Sequence, residues 1–195
     1  SPHQTGGNIS IPANAELVLQ GTTLKIPESS QLIVDNYGDF EGMNSEFIGD
    51  IISHSTLFGD SESSNLTVDG DVFWTSCQND MNLFNLHISG NVTLDNSCKV
   101  TIDSGSTPTS ILVGTGAVFQ IQNTLNVVVL DKGEPVQGAT ITVQGQTVST
   151  DSDGMATKST TSLLVDSSGT TTSGLEQVTM QLGQITDYLA WDTAS

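Results

Sequence analysis

Two aspartates near the C-terminal end of the chain have the spacing with which calcium-binding loops begin. Asp151 and Asp153 are followed by Gly154, and carboxylate oxygens are ligands that Ca²⁺ prefers. An EF-hand loop also needs a glutamate at its twelfth position, which here is Ser162. The EF-hand pattern therefore fails, and we interpret the segment as a turn in which Asp151 and Asp153 are candidate calcium ligands. A second group of loop carboxylates comprises Asp60, Glu62, Asp69 and Asp71.

The residue types needed for catalysis are scarce. Paired carboxylates cleave glycosides, but such sites surround the acids with aromatic and polar partners, and aromatic residues make up only 5% of the chain. Lyases that act on polyuronates pair their acids with basic residues, and here there are four lysines and no arginine. No serine lies in a Gly-x-Ser-x-Gly elbow. The histidines, which are His3, His54 and His87, lack metal-ligand spacing. We expect a non-enzymatic protein with no cofactor except calcium.

The charge balance limits the partners. The chain carries 22 acidic residues and a formal net charge of −18, which repels nucleic acids and anionic membrane surfaces. Its most apolar stretches, Val127–Leu130 and Leu163–Val165, are strand-sized, whereas a membrane-spanning helix needs about 20 apolar residues. The chain begins at Ser1 rather than at a methionine, which is typical of a processed or trimmed start.

An internal repeat occupies the first two thirds of the chain. Residues 65–77 and 85–98 are two copies, and 110–121 is a third, less exact copy that aligns Ile111 with Leu66. The pairs that align at a spacing of 20 residues are Asn65 with Asn85, Gly70 with Gly90 and Val72 with Val92. Weaker copies precede these at 15–26, 31–40 and 46–52. A fixed period of this length indicates one structural unit per repeat.

Each copy alternates apolar and polar residues, which indicates strands with one buried face. Stacked units of this kind bury a continuous core, so the pattern predicts an all-β fold with a parallel β-solenoid over residues 1–123, bending at the repeated glycines. The alternative is an antiparallel jelly roll or sandwich, which also uses short alternating strands. In texture, the repeats resemble right-handed parallel β-helix proteins.

The two cysteines and three glycosylation sequons are relevant to the cellular location of the protein. Cys77 and Cys98 occupy the same place in consecutive repeats, where stacked coils would bring them about 4.8 Å apart, so we predict a disulfide. The chain otherwise has the character of an extracellular protein, and disulfides form and persist in that environment. N-glycosylation sequons begin at Asn8, Asn65 and Asn91, and they are relevant only if the chain is secreted by a glycosylating organism.

The sequence changes character at Thr124. Residues 124–157 contain Asp-x-Gly-x-Pro-Val-x-Gly-Ala, a strand, and then Thr-Asp-x-Asp-Gly. The matching residues are Val127, Val129, Asp131, Gly133, Pro135, Val136, Gly138, Ala139, Ile141, Val143, Thr150, Asp151, Asp153 and Gly154. This pattern resembles the carboxypeptidase regulatory-like module. The resemblance implies a small, transthyretin-like antiparallel β-sandwich over residues 124–195, with an accessory or spacer role and no active site. The sandwich is incomplete if the native chain continues.

These observations favour a structural or adhesive component of a cell surface, such as an S-layer, stalk or filament subunit. We expect it to be extracellular and to associate with itself, or with other surface proteins or glycans, through unpaired strand edges. We expect no nucleic-acid partner and no membrane span. One alternative is a carbohydrate-binding module that recognises a glycan along one face of the solenoid. The other is a β-helix enzyme that acts on polysaccharides.

Overall fold

The computed structural model describes residues 7–55, 57–58, 64–75, 77, 80–95, 97–172, 175–182 and 185–192. These residues form strands and turns and contain no helix. The predicted all-β class is confirmed, with a parallel solenoid followed by antiparallel sheets. A helix long and apolar enough to cross a membrane is likewise absent from this part of the chain.

Two compact units make up the chain. One comprises residues 1–121 together with 164–171, and the other comprises 122–163 together with 172–195. The change of unit at 121–122 lies close to the boundary expected after residue 123. Segment 164–171, which the sequence interpretation assigned to the second domain, belongs to the first unit.

The described residues contain 23 strands, most of which are short. In chain order, the first fifteen are β1 (Ile9–Ile11), β2 (Glu16–Gln20), β3 (Thr23–Lys25), β4 (Gln31–Val34), β5 (Asp39–Ile48), β6 (Asp50–Ser53), β7 (Leu57–Phe58), β8 (Ser64–Asp69), β9 (Val72–Trp74), β10 (Met81–Phe84), β11 (Leu86–Ile88), β12 (Asn91–Leu94), β13 (Lys99–Asp103), β14 (Ser110–Val113) and β15 (Val118–Val128). The later strands are β16 (Leu130–Asp131), β17 (Glu134–Pro135), β18 (Thr140–Val143), β19 (Gln146–Ser149), β20 (Met155–Asp166), β21 (Gly169–Thr172), β22 (Leu175–Leu182) and β23 (Ile185–Asp192).

The first sheet of the solenoid is parallel and has the order β1-β4-β6-β9-β12-β14. The residues stacked at one position, coil after coil, are Ile9, Leu32, Ile51, Val72, Val92 and Ile111. Each coil therefore takes between 19 and 23 residues, and the stack has about five turns. This arrangement confirms the predicted solenoid and not the antiparallel jelly roll.

The alignment of the third sequence copy was wrong. Ile111 stacks on Val92 and thus at the position of Val72, whereas Leu66 lies in another sheet. The glycine in this copy belongs to a different bend, since Gly116 has a φ of 73° in the turn that follows β14. Alternation of period two looks the same on either side of any bend, so it does not identify which bend a glycine occupies.

Two further sheets complete the coils. The second has the order β11-β8-β5-β2, with β3 and β7 also paired to β5, and the third has the order β10-β13-β15-β20-β21. Within the first unit, residues 118–121 of β15, 164–166 of β20 and 169–171 of β21 belong to the third sheet, so a later part of the chain extends that sheet beyond the last coil.

The core of the solenoid consists of apolar side chains that alternate along each strand. Trp74 is fully buried. The rings of Phe40 and Phe47 meet edge to face with their centroids 5.7 Å apart, a favourable aromatic geometry. Other fully or almost fully buried members are Leu32, Val34, Ile51, Leu66, Val68, Val72, Leu86, Ile88, Val92 and Leu94.

Glycines form the bend that leads into the first sheet. Gly70 and Gly90 occupy this bend in successive coils, as predicted from the repeat, and Gly49 occupies it in the coil before them. A Cβ on Gly70 would lie 2.0 Å from the carbonyl oxygen of Gly49, and a Cβ on Gly90 would lie 2.2 Å from that of Gly70. Because these contacts are with backbone atoms of the coil below, only glycine fits without moving a coil.

Asparagines form another bend. Asn44, Asn65 and Asn85 have φ values of 47°, 59° and 46° in successive coils, and asparagine tolerates this left-handed conformation better than most residues. The side-chain amide of Asn65 donates to the Oδ1 atom of Asn44 at 3.2 Å. Asparagine therefore recurs at this position of the repeat because the backbone is left-handed there.

The second unit is built from antiparallel pairs. β18 pairs with β19 and with β22, β22 pairs with β23, and β16 pairs with β17. The hydroxyl of Thr150 accepts the N–H of Ala139 at 2.9 Å and donates to the carbonyl of Val136 at 2.6 Å. The buried core is formed by Leu125, Val129, Ala139, Ile141, Val143, Ala156 and Val178.

Candidate functional site

The two cysteines are joined. Cys77 and Cys98 form a disulfide between consecutive coils, with Cα atoms 5.0 Å apart and a sequence separation of 21 residues. Cys98 is fully buried, and its sulfur accepts the N–H of Cys77 at 3.3 Å. The predicted pairing is confirmed, and the bond fixes one coil to the next.

A column of polar side chains runs along the bend that follows the glycines. We call it the corner column, and its members, coil by coil, are Asn8, Gln31, Asp50, Asp71, Asn91 and Ser110. Asp50 Oδ1 accepts the N–H of Asp71 at 3.0 Å, and Asp71 Oδ1 accepts the N–H of Asn91 at 2.7 Å. Asn8 Oδ1 accepts the N–H of Gln31 in the same way. Asn8, Asp50 and Asp71 thus each satisfy a backbone donor of the next coil.

The three sequon asparagines are exposed and all lie at these bends. Asn8 and Asn91 belong to the corner column, and the amide of Asn91 donates to both carboxylate oxygens of Asp71 at 3.0 and 3.1 Å. Asn65 occupies the asparagine bend and donates to Asn44. In the folded chain, the amide nitrogens of Asn65 and Asn91 are therefore hydrogen-bond donors within the stack. Glycosylation of Asn8, Asn65 and Asn91 stays a prediction.

Asp151 and Asp153 lie at an exposed turn. Asp151 Oδ1 accepts the N–H groups of Asp153 and Met155, each at 2.9 Å, so this carboxylate closes the turn that the sequence interpretation favoured. Calcium binding by the pair stays a prediction. Of the second carboxylate group, Asp60 and Glu62 lie outside the described residues, while Asp69 accepts the hydroxyl of Ser89 at 2.7 Å.

A carboxylate cluster that the sequence did not reveal lies on the first two coils. One oxygen each from Glu16, Asp39 and Glu41 lies within 4.8 Å of the others, and Glu41 is only 7% exposed. The cluster forms because β2 and β5 are parallel neighbours that place Glu16 beside Asp39. Oxygen donors this close are able to share a hard cation. Exposed acidic groups are common without an ion, so the cluster alone defines no site.

A polar groove of about 520 Å³ follows the asparagine bend. Thr23 Oγ1 donates to Glu46 Oε2 at 3.2 Å within it. The other side chains of its lining include Thr22, Asn44, Ser45, Asn65 and Thr67. Hydroxyls, amides and one carboxylate are groups that form hydrogen bonds with sugars, and no aromatic ring is part of this lining.

β14 lies at the edge of the first sheet and carries the most exposed large apolar side chain of that sheet. β14 pairs with β12 on one side and is the last strand of this sheet in the described part of the chain. The side chain of Leu112 is 67% exposed. Proteins usually protect such edges with devices that include charges and prolines, and β14 (Ser-Ile-Leu-Val) contains neither a charged residue nor a proline.

The coil that contains β14 has no charge. We call residues 104–121 the terminal coil. The stretch from 104 to 130 contains no Asp, Glu, Lys, Arg or His, although the whole chain carries a net charge of −18. The absence of charge therefore coincides with the unpaired edge, at one end of an otherwise acidic stack.

The described histidines are not grouped with one another. His54 Nδ1 and the hydroxyl of Thr75 form a hydrogen bond, and His87 lies beside Thr67 on the second sheet. Both are partly buried, and His3 lies outside the described residues. Within the described residues, the close cluster of metal-ligating side chains is the one formed by Glu16, Asp39 and Glu41.

The fold defines the chain as an all-β protein with a parallel β-solenoid and a disulfide between its coils. No family model, curated protein or solved structure matches it. The resemblance of residues 124–157 to the carboxypeptidase regulatory-like module thus has no matching family model behind it.

Proposed function

We propose that this protein is a non-enzymatic structural or adhesive component of a cell surface that assembles through strand edges. The observation that carries the proposal is the open edge of β14 on the uncharged terminal coil. Backbone groups at such an edge recruit another strand, and main-chain hydrogen bonds supply the affinity. An S-layer, stalk or filament subunit needs this kind of repeated contact.

The construction of the solenoid supports a structural role. Successive coils are linked by three devices: the disulfide, the corner column and the glycine bends. Each device resists sliding of one coil over the next. The disulfide also favours an oxidising, extracellular location, where the partners would be further copies of this chain, other surface proteins or glycans.

We infer that the second unit is the transthyretin-like module suggested by its sequence. Its antiparallel pairs, the buried Ala139 and Ile141, and the Thr150 hydroxyl that spans the strand connection support this inference. The module would act as a spacer or accessory domain.

Sedimentation velocity tests the proposal directly. The intact chain, with and without calcium, is sedimented over about a hundredfold range of concentration, and its assemblies are imaged by negative-stain electron microscopy. We expect species larger than the monomer that grow with concentration. A sharp monomer at all concentrations, in both calcium conditions, contradicts assembly.

A second candidate function is carbohydrate binding in the polar groove, favoured by its lining of Thr23, Glu46 and Thr67. A glycan array identifies a ligand, and Thr67→Val, which removes one hydroxyl, should weaken that binding about tenfold because a hydrogen bond to a sugar is lost. Thr93→Val, on the first sheet and outside this groove, is the matched control. An array without hits contradicts this candidate.

A further inference from the structure

We propose that β14 pairs antiparallel with β14 of a second copy about a two-fold axis, which joins the two first sheets into one continuous sheet. This inference rests on the proposed assembly through strand edges and names both the edge and the partner. It goes further because it also specifies which residues face each other.

The hydrogen bonds already made by β14 determine which backbone groups remain. Leu112 lies beside Thr93 of β12, and Gly114 donates its N–H to the carbonyl of Leu94 at 2.8 Å. Backbone groups alternate in direction along a strand. The N–H and C=O groups of Ile111 and Val113 therefore point toward the open edge.

This alternation admits only registers in which edge-facing residues oppose each other, and one of these registers forms two such pairs within β14. When Ile111 lies opposite Val113 of the second copy, the two-fold axis repeats the pair, and both pairs exchange N–H and C=O groups. Leu112 then lies opposite Leu112 of the second copy in a non-hydrogen-bonded pair, where Cα atoms are about 4.5 Å apart. A shift by one residue would direct side chains to the wrong face of the sheet.

The side chains suit the same register. Leu112 is 67% exposed on the outer face, so two leucines at the axis would cover each other. Ile111 and Val113 are partly buried on the inner face, so a second strand would complete their cover. Pairing thus removes apolar surface from contact with water on both faces of the strand.

The distribution of charge along the chain favours a second copy of this chain as the partner of the β14 edge. Two copies that each carry −18 repel each other, but a two-fold contact brings the same patch of both copies together. The terminal coil is uncharged, so this patch meets itself without like-charge repulsion. A basic partner would be attracted to the acidic coils rather than to this neutral end.

Cysteine substitution tests the register. At the two-fold axis, Leu112→Cys places two thiols within the range of Cα distances that a disulfide spans, about 4.4–6.8 Å. We expect a covalent dimer on a non-reducing gel under mild oxidation. Thr93→Cys is the matched control because it lies on the adjacent strand in the same row, and its two copies would lie three strand spacings apart, roughly 14 Å. It should remain uncross-linked.

A charge substitution tests the assembly itself. Leu112→Lys places two ammonium groups at the axis, and we expect self-association to weaken at least tenfold, while Thr93→Lys associates as the wild type does. Thermal unfolding verifies that both variants fold. If the wild type assembles but Leu112→Cys gives no dimer and Leu112→Lys assembles normally, the β14 pairing is wrong and assembly uses another edge. If the wild type is always monomeric, the proposed function fails as well.

Discussion

Removal of the disulfide between Cys77 and Cys98 should destabilise the solenoid by an amount that follows from its position. The cysteines are 21 residues apart, so the bond closes a loop of one coil in the unfolded chain. The chain-entropy model gives about 3 kcal/mol for a loop of this length. The folded stack already holds the two coils in register by backbone pairing, so reduction should leave the native fold intact but less stable.

This free energy converts into a temperature shift. The first unit comprises about 130 residues, and unfolding entropy is roughly 2.1 cal/mol/K per residue. A loss of about 3 kcal/mol then lowers the melting temperature of this unit by about 11 °C.

Calorimetry of the oxidised protein, the reduced wild type and the Cys77→Ala/Cys98→Ala double variant measures the shift. The reduced wild type keeps both sulfur atoms, so it separates loss of the cross-link from loss of packing at the buried Cys98. We expect it to melt about 11 °C below the oxidised protein and the double variant to melt slightly lower. A shift below about 2 °C, with full reduction verified by mass spectrometry, would refute the entropic reasoning.

Three further substitutions should change stability, as measured by chemical denaturation. Gly70→Ala should cost about 3 kcal/mol or more, because its Cβ would clash with the backbone of the coil below. The control is Gly7→Ala, which has open space around it and should change the free energy of unfolding by no more than about 0.5 kcal/mol. Equal effects of the two substitutions would contradict the packing argument. Asn85→Val should cost about 1–2 kcal/mol at a φ of 46°, whereas Asn85→Gly should be tolerated, and the reverse order would exclude a backbone cause. Thr150→Ala should cost about 1–3 kcal/mol, since its hydroxyl joins the N–H of the buried Ala139 to the carbonyl of the partly buried Val136; no loss would mean that water replaces it.

The parts of the fold that the sequence predicted are those in which one residue type recurs at a fixed position. Gly70 and Gly90 recur because a Cβ is excluded there, and Cys77 and Cys98 recur because they are bonded. The stacking of the coils and the disulfide followed from these pairs. The bend at Asn85 was also visible as an aligned asparagine, although its left-handed conformation was not inferred.

The candidate sites were harder to predict because they depend on the register between coils of unequal length. Glu16 and Asp39 are neighbours only because the first coil is longer than the later ones. The polar groove likewise combines Thr23, Glu46 and Thr67 from three coils. The local spacing of acidic residues instead suggested a calcium site at Asp151, whose carboxylate accepts a hydrogen bond within its own turn.

The loss of charge toward the terminal coil has a specific consequence for assembly. In the corner column, acids at Asp50 and Asp71 give way to the amide of Asn91 and then to the hydroxyl of Ser110. Asp50 and Asp71 are one strand apart, where like charges repel, and the N–H groups that they accept from the next coil offset part of this cost. An acid at position 110 would have no further coil to donate to it, and it would repel a second strand. A neutral residue at the end of the column therefore leaves the edge of β14 open to pairing, whereas an acid in its place would protect it.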